Sequence, residues 1–288
     1  MKVSTPKKPS IHFTIDLEDF SFDLCRAIGA TSVPALRTES LIECYRNISD
    51  LLSGHDQSSS KITFFCTGVM ADRYPDLIRV ISQDGHEIAC HGNFHDDISG
   101  MSTDEIYKNL KLAKQKLSDI SQTEIRGFRA PRFSVDKNDF ERLHAISQVF
   151  DYDSSLHFSC DSDFKKWSEQ CPIKLREFPV PEQTIFSSKF KVKTGGSYIK
   201  LFPLSVVKNA IYKSIRNKMS PILYLHPYDV YYGYKLLLRW HELNGGVSQN
   251  YWFVRQTQWA GVFNWAQKRK LQNLFSEFSS LGRLDARL

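Results

Sequence analysis

The chain lacks the features that mark several classes of protein. No run of about 18 consecutive apolar residues occurs, so no helix that spans a membrane is predicted. The lysines near the N-terminus are followed by an alternating segment and not by the apolar core of a secretory signal. The six cysteines form no CxxC pair, and buried, reduced thiols are the simplest account of them. We therefore expect a cytoplasmic protein.

The chain also lacks a run of basic residues of the kind that binds a phosphate backbone. Lysine and arginine are scattered among acidic residues, and the formal net charge of +6 is modest for 288 residues. We therefore expect no nucleic acid partner. A weakly basic surface still favours an anionic polymer, or peripheral association with an acidic membrane.

What the sequence does contain is a repeating pattern over a large apolar fraction. A hydrophobic content of 41% allows a substantial core without disulfides. Short apolar, β-branched or aromatic runs alternate with helical periodicity, which is typical of β-α repetition and a mainly parallel sheet. Seven predicted strands suggest a barrel or an open barrel: Ile11–Asp16, Ile62–Thr67, Glu87–His91, Arg126–Arg129, Val149–Ser154, Leu175–Val180 and Ile222–His226.

Helical periodicity is clearest over Asp72–Gln83, Thr103–Ser118 and Asp136–Ile146. Ser102 or Thr103, with acidic residues just after, predicts the start of the second of these helices.

We interpret residues 1–288 as a single domain with a core over about 11–229. Residues 230–288 are predicted to be an aromatic-rich elaboration that covers one end of the barrel. It is expected to be irregular up to Trp259 and helical over about Ala260–Phe278.

Four polar clusters fall at the carboxyl ends of separate predicted strands, where β/α barrels carry their catalytic groups. The first spans Thr14–Asp19, and in an extended strand its Asp16 and Glu18 face the same side. Carboxylates this close repel each other unless a cation or an arginine shares the space. A solvated strand end that supplies a helix cap is the structural alternative, and this cluster alone does not distinguish the two.

The second cluster runs from His91 to His95. Two histidines at i and i+4 on a helical turn direct their nitrogens to one point, a spacing that suits Zn²⁺ or a similar divalent ion. A carboxylate of the first cluster would make three protein ligands, and water would take the open position that a catalytic metal needs. The HxxxH spacing is also common by chance.

The remaining clusters are Arg126–Arg132 and the segment around His226. An arginine at the first can hold a carboxylate by bidentate hydrogen bonds, and N–H groups of the turn set by Pro131 can receive an oxyanion. A basic surface turn is the more frequent explanation of such a string. A histidine that ends an apolar strand is more often structural, yet its pKa near neutrality suits it to protonating a leaving amine.

Together and in this order, the clusters resemble the polysaccharide deacetylase family, also called the NodB-homology or carbohydrate esterase 4 family. The resemblance covers roughly Ile11–Asp229 and extends to intervening segments such as Gly85–Gly92 and Tyr152–Ser155. Gly195–Tyr198 and Leu225–Tyr228 resemble the subgroup of these deacetylases that is associated with bacterial exopolysaccharide production.

The resemblance implies a distorted (β/α)7 barrel of the α/β class. It implies one divalent ion held by a carboxylate and two histidines, with Zn²⁺ as the first choice and Co²⁺, Ni²⁺ or Mn²⁺ as alternatives. The implied reaction is hydrolysis of an N-acyl amide, usually N-acetyl, on an amino sugar. The substrate would be a glycan, or its lipid-linked or nucleotide-linked precursor.

Carried over position by position, the resemblance makes Asp16 the general base, Arg129 the arginine that positions it, and His226 the general acid. His91 and His95 correspond to the histidine ligands of the metal.

The carboxylate ligand is less direct, because the adjacent aspartate pair of the family is interrupted here by Leu17. The ligand is then Glu18 or Asp19, and we favour Glu18 because strand alternation places it beside Asp16. Gly92 also departs from the family pattern, which has Ser or Thr there. The family's aspartate that tunes the acid histidine has no clear counterpart, so the pKa of His226 is left without an explanation.

Two other functions are consistent with the sequence. One is hydrolysis of a cyclic amide or ureide, as in allantoinase-like members of the fold, some of which work without a metal. The other is a catalytically silent carbohydrate-binding protein, in which aromatic residues between Tyr231 and Trp259 stack on sugars. Aromatic residues more often lie in a core or an interface than on a sugar-binding surface. All the positions carried over from the family, except the spacing of the carboxylates, are intact. We therefore rank activity above silence.

Overall fold

The computed structural model describes residues 8–55, 60–185, 191–243, 248–261 and 264–288, and the side chains of residues 259–265 lie outside this description. The predicted sugar-stacking side chain of Trp259 is therefore not described. The strands in chain order are β1 (Ser10–Leu17), β2 (Thr63–Cys66), β3 (Glu87–Cys90), β4 (Gly127–Phe128), β5 (Tyr152–Asp153), β6 (His157–Phe158), β7 (Arg176–Glu177), β8 (Val180–Thr184), β9 (Lys191–Lys193), β10 (Ile222–Leu225) and β11 (Ser279–Ser280).

Seven strands form one parallel sheet in the order β10-β1-β2-β3-β4-β5-β7, and β11 pairs with the start of β1. Within the described ranges no ladder joins β10 to β7, so the sheet curls into an open half-barrel. A second sheet combines β6, which precedes β7 in the chain, with β8 and β9, which lie between β7 and β10 in the chain. The expected distorted (β/α)7 barrel is confirmed, and each predicted strand overlaps one strand of the main sheet.

Helices connect the strands: α1 (Phe20–Ala27), α2 (Thr38–Leu52), α3 (Gly68–Arg73), α4 (Pro75–Gln83), α5 (Thr103–Ser121), α6 (Phe140–Ser147), α7 (Asp161–Gln170), α8 (Ser197–Leu201), α9 (Leu204–Arg216), α10 (Pro227–Val230), α11 (Gln249–Gly261) and α12 (Asn264–Glu277). Ser102 caps α5 and exchanges hydrogen bonds with Glu105 in a capping box, as the sequence suggests. Among the described residues no helix combines the length and apolar character needed to cross a bilayer.

The core lies between the strands and the helices that cover them. Strands β1, β2, β3 and β10 are buried at nearly every position, which is expected of parallel strands covered on both faces. The apolar cluster of the core includes Phe13, Phe64 and Phe128 from the sheet, Leu274 from α12, and Phe278 directly after that helix.

The C-terminal residues return to the amino ends of the strands. Leu284 is fully buried beside Phe65 and Tyr152, and its N–H donates to Thr63 Oγ1 at 2.9 Å. The expectation of an irregular segment up to Trp259 was wrong over α11, which is helical although its apolar residues follow no single face. Whether residues 1–288 form one domain stays a prediction.

Candidate metal and acid-base site

The four polar clusters meet at one edge of the sheet. Strands β10, β1, β2, β3 and β4 are neighbours and parallel, so their carboxyl ends lie together. Cluster residues that are far apart in the chain therefore contact each other directly. The predicted site residues all lie at this edge.

Asp16 is held by Arg129. The Nη1 atom of Arg129 donates to Asp16 Oδ1 at 2.6 Å and to Thr14 Oγ1 at 2.9 Å, and both charged side chains are almost fully buried. An ion pair removed from water needs further hydrogen bonds to offset its desolvation. Arg129 has them, since its Nε and Nη2 donate to the carbonyl and hydroxyl oxygens of Ser154 at 3.1 and 2.9 Å.

The guanidinium plane of Arg129 is also fixed from one face. Its Cζ atom lies 4.0 Å from the centroid of the Phe65 ring, which is a cation-π contact in a buried setting. The arginine therefore has one defined orientation, and the carboxylate of Asp16 is oriented with it.

Glu18 and His95 face each other across the site. Glu18 Oε2 lies 2.8 Å from His95 Nε2, but this oxygen receives no well-aligned hydrogen bond. Burial on its own would raise the pKa of Glu18, but the charge of His95, with His226 and His91 behind it, lowers that pKa to about 2. Once a cation displaces the proton of His95, the Glu18 oxygen and the opposing imidazole nitrogen can both bind that cation.

His91 completes a group of three. One ligand atom from each of Glu18, His91 and His95 lies within 4.8 Å of the others. The Nδ1 atom of His91 lies 2.8 Å from the carbonyl oxygen of Arg129, so Nδ1–H donates there and Nε2 keeps its lone pair. Burial lowers the pKa of His91 to about 4, which keeps the ring neutral, as a metal ligand must be.

The loop that carries these two histidines is not the helical turn that the HxxxH spacing suggested. Residues 91–95 have no helical assignment, and Gly92 and His95 have φ angles of 76° and 57°. These left-handed residues bend the chain back so that the two imidazole centroids lie 5.1 Å apart. The φ angle also explains the departure from Ser or Thr, because glycine accepts this conformation without strain.

Asp19 has a different place. Its Oδ1 accepts from Ser21 Oγ and from the N–H of Phe22 as the N-cap of α1, and its Oδ2 accepts from Arg73 Nε at 2.9 Å and Tyr74 Oη at 2.7 Å. Both oxygens are therefore occupied by protein donors. This placement corrects the expectation that Asp19 is a candidate metal ligand, because the structure groups Glu18, and not Asp19, with the histidines.

His226 has a hydrogen-bond partner that the resemblance to the family did not identify. Its Nδ1 and its backbone N–H both lie 2.9 Å from Oδ2 of Asp229, three residues later in α10. Burial would lower the pKa of His226, but the hydrogen bond and charge of Asp229, followed by Glu18 and Asp16, raise it to about 9. An aspartate that tunes the histidine is thus supplied locally, by the i, i+3 spacing in His226-Pro-Tyr-Asp229.

Asp23 is a second residue that sequence reasoning missed. Both of its carboxylate oxygens are buried, and among the described residues neither has a hydrogen-bond donor. It lies on α1 one turn after Asp19, and Arg26 of the same helix contacts Asp96 at 2.6 Å and the Phe94 ring at 4.5 Å. Burial raises the pKa of Asp23, opposed by the charge of His95. The spacing from Asp19 was the only signal for it in the sequence.

Comparisons with known proteins agree with this organisation. Residues 40–146 match the family model described as polysaccharide deacetylase, and residues 158–243 match a domain of unknown function, DUF3473. The first match contains His91, His95 and Arg129, and the second contains His226. Over 105 residues the chain is 30% identical to an uncharacterized 30.6 kDa protein of Geobacillus stearothermophilus. The aligned part is 36% of this chain and spans 37% of that relative.

The fold is similar to that of solved structures. A proposed polysaccharide deacetylase from Mycobacterium smegmatis has a TM-score of 0.53 at 18% identity, over 96% of this chain and 91% of that one. A carbohydrate esterase 4 family pseudoenzyme from Bacillus anthracis has a TM-score of 0.49 at 14% identity, over 98% of this chain and 66% of that one. The first of these likenesses supports the barrel fold.

Proposed function

We propose that this protein hydrolyses an N-acyl amide, in the first place N-acetyl, on an amino sugar of a glycan or of its precursor. The observation that carries the proposal is the convergence of Glu18, His91 and His95 beside Asp16, which Arg129 holds in place. The match of residues 40–146 to the polysaccharide deacetylase model supports the same reaction class.

The residues fit a single divalent cation. Glu18 Oε2, His91 Nε2 and His95 Nε2 are oxygen and nitrogen donors of the set that zinc prefers, and Co²⁺, Ni²⁺ or Mn²⁺ can bind similar sets. Such an ion, when bound, supplies Lewis acidity to the amide carbonyl and makes a water molecule more acidic.

Asp16 is the proposed base. Its carboxylate removes a proton from the water that attacks the amide carbon, while the ion pair with Arg129 holds the Asp16 side chain in place and directs it at the reacting atoms. The turn after β4 would supply backbone N–H groups to the developing oxyanion, each contributing about 3 kcal/mol.

His226 is the proposed acid. Its proton passes to the sugar nitrogen as the C–N bond breaks, so that acetate and a free amine leave. Asp229 keeps this imidazole protonated through neutral pH, because it raises the pKa of His226 to about 9. His226 therefore carries the proton that the leaving amine needs at neutral pH.

We also propose a bacterial exopolysaccharide context and a reducing, cytoplasmic compartment. The match of residues 158–243 contains the Gly195–Tyr198 and Leu225–Tyr228 segments on which the subgroup resemblance depends. All six cysteines are free, four of them buried, which suits a compartment that keeps thiols reduced. A glycan precursor carried by a nucleotide or by a lipid is the expected substrate, and a lipid-linked one would require peripheral contact with the membrane.

The test combines elemental analysis of the purified protein with acetate release from polymeric, lipid-linked and nucleotide-linked N-acetylated sugars. His91→Ala should lose both the metal and turnover, whereas His226→Ala should keep the metal and lose turnover. Full activity of His91→Ala would contradict the scheme. Ring opening of a cyclic amide without acetate release would favour the allantoinase-like alternative, and metal binding with neither reaction would favour a silent sugar-binding protein.

A further inference from the structure

Two buried carboxyl groups behind Arg129 have no part in the scheme above. Asp153 of β5 and Glu177 of β7 are directly opposite each other in parallel register, so their side chains lie on the same face of the sheet. Asp153 is fully buried and Glu177 is 5% exposed. The Tyr152–Ser155 segment was part of the resemblance, but no role was assigned to it.

The hydrogen bonds of this pair leave one oxygen on each side without a donor. Asp153 Oδ1 accepts from Ser155 Oγ at 2.6 Å, and Glu177 Oε1 accepts from the N–H of Leu156 at 3.0 Å. Asp153 Oδ2 and Glu177 Oε2 have no donor among the described residues, although the two side chains contact each other. Two ionised carboxylates cannot share such a buried space without a cation, whereas one proton between them satisfies both oxygens.

The charge balance points the same way. Burial raises the pKa of both groups, and the charge of Asp153 raises the pKa of Glu177 further, while the Arg129 guanidinium opposes this. With one shared proton the pair carries a single negative charge. With none, a second charge would compete with Asp16 for Arg129.

The pair supports the turn that holds Arg129. Ser155 Oγ, which donates to Asp153, accepts from the N–H of Ala130 at 2.7 Å. The neighbouring Ser154 accepts two of the Arg129 hydrogen bonds. Movement of this turn would therefore shift both the arginine and the backbone just before Pro131.

We propose that Asp153 and Glu177 share one proton as a buried acid pair, and that this pair is a positioning device for Arg129 and, through it, for Asp16. The inference about the base rests on the proposed deacetylase function, but the shared proton does not. Neither residue touches the substrate, so the pair affects the chemical step and not substrate binding.

The test is a cycle of amide substitutions. In Asp153→Asn or Glu177→Gln, an amide N–H replaces the shared proton, and the outer oxygen still accepts its present hydrogen bond. Each single variant should keep kcat within about threefold of the wild type. The double variant places two amide donors against each other, so its kcat should fall about tenfold or more with KM nearly unchanged, a coupling of the size expected for residues in contact.

Two readouts are independent of activity. The infrared difference spectrum between the wild type and either single variant should show the loss of the C=O stretch of one protonated carboxylic acid at neutral pH, a comparison that cancels the bands of other buried acids such as Asp23. In denaturant unfolding, the double variant should lose more stability than the two single variants together, and a double variant that fails to fold while both single variants fold is the extreme of the same result. The matched control is Glu87→Gln, which should leave kcat unchanged. The carboxyl group of Glu87 is also buried, but it lies at the other end of the sheet and accepts hydrogen bonds from Thr63 and Tyr152.

The pair is refuted if neither single variant loses an acid band relative to the wild type, or if either single variant is as impaired as the double. A wild-type protein that releases no acetate would overturn the proposed function, while the infrared and unfolding results would still decide the shared proton.

Discussion

Replacing Asp229 by Asn should move the alkaline limit of activity. In the wild type, Asp229 contributes most to raising the pKa of His226 from 6.5 to about 9. The Asn side chain keeps the shape and can still accept from the backbone N–H of His226, but it has no charge. Since burial lowers the pKa of His226 and only the smaller contributions of Glu18 and Asp16 still raise it, we expect the pKa in the variant to fall towards its ordinary value of 6.5.

The size of the effect follows from the protonated fraction of His226. At about pH 8 the imidazole is about 90% protonated with a pKa of 9 and about 3% protonated with a pKa of 6.5, a loss of roughly 30-fold in kcat/KM. At about pH 6 the loss is less than about twofold. The assay is acetate release across this pH range, with metal content measured on the same samples. An equal loss at both pH values, or no change at either, would refute His226 as the acid.

The raised pKa of His226 also makes the free energy of unfolding depend on pH. The pKa of His226 is raised on folding, so its interaction with Asp229 stabilises the folded state fully below about pH 6.5. That contribution is lost as the pH rises through about 9. Asp229→Asn should therefore be more destabilising at acidic than at alkaline pH in denaturant unfolding.

Three further predictions concern neighbouring positions. Asp19→Asn should lower the free energy of unfolding by about 1 to 3 kcal/mol, because an amide NH₂ in place of Oδ2 leaves Arg73 and Tyr74 without their acceptor. Its metal content should be unchanged, whereas Glu18→Gln should lose the metal; the reverse pattern in elemental analysis would exchange their roles. Gly92→Ser should destabilise by about 1 to 2 kcal/mol because of its φ of 76°, and Gly92→Asn by less; equal costs would argue against strain. Leu284→Ala should lower the free energy of unfolding by about 2 to 5 kcal/mol, because Leu284 is fully buried. Leu288→Ala should lower it by less than about 0.5 kcal/mol, because Leu288 is 45% exposed; similar values for the two variants would mean that the C-terminal segment is not packed as described.

The barrel could be predicted from the sequence because short apolar runs alternate with helical periodicity along the chain. The small sheet of β6, β8 and β9 was not predicted, since its short strands are largely polar and form no apolar run. Helix α11 was not predicted because its apolar residues follow no single face and form no amphipathic stripe.

At the site, local sequence and tertiary contacts contributed different information. The chemical types of Asp16, His91, Arg129 and His226, and their places at strand ends, are properties of the chain order, and the family resemblance depends on them. Their assigned roles stay predictions until the metal and the reaction are measured.

The strand pattern, and with it the edge at which the polar clusters meet, follows from the amino-acid sequence alone, because parallel strands bring their carboxyl ends together whatever lies between them. The grouping of Glu18, and not Asp19, with the histidines needed the folded structure, since Oδ2 of Asp19 accepts from Arg73 and Tyr74, about 55 residues away. It also paired Asp153 with Glu177 across two strands. Hydrogen bonds and burial between distant segments leave no periodic trace in the chain, so these partners became visible only when the strands were assembled.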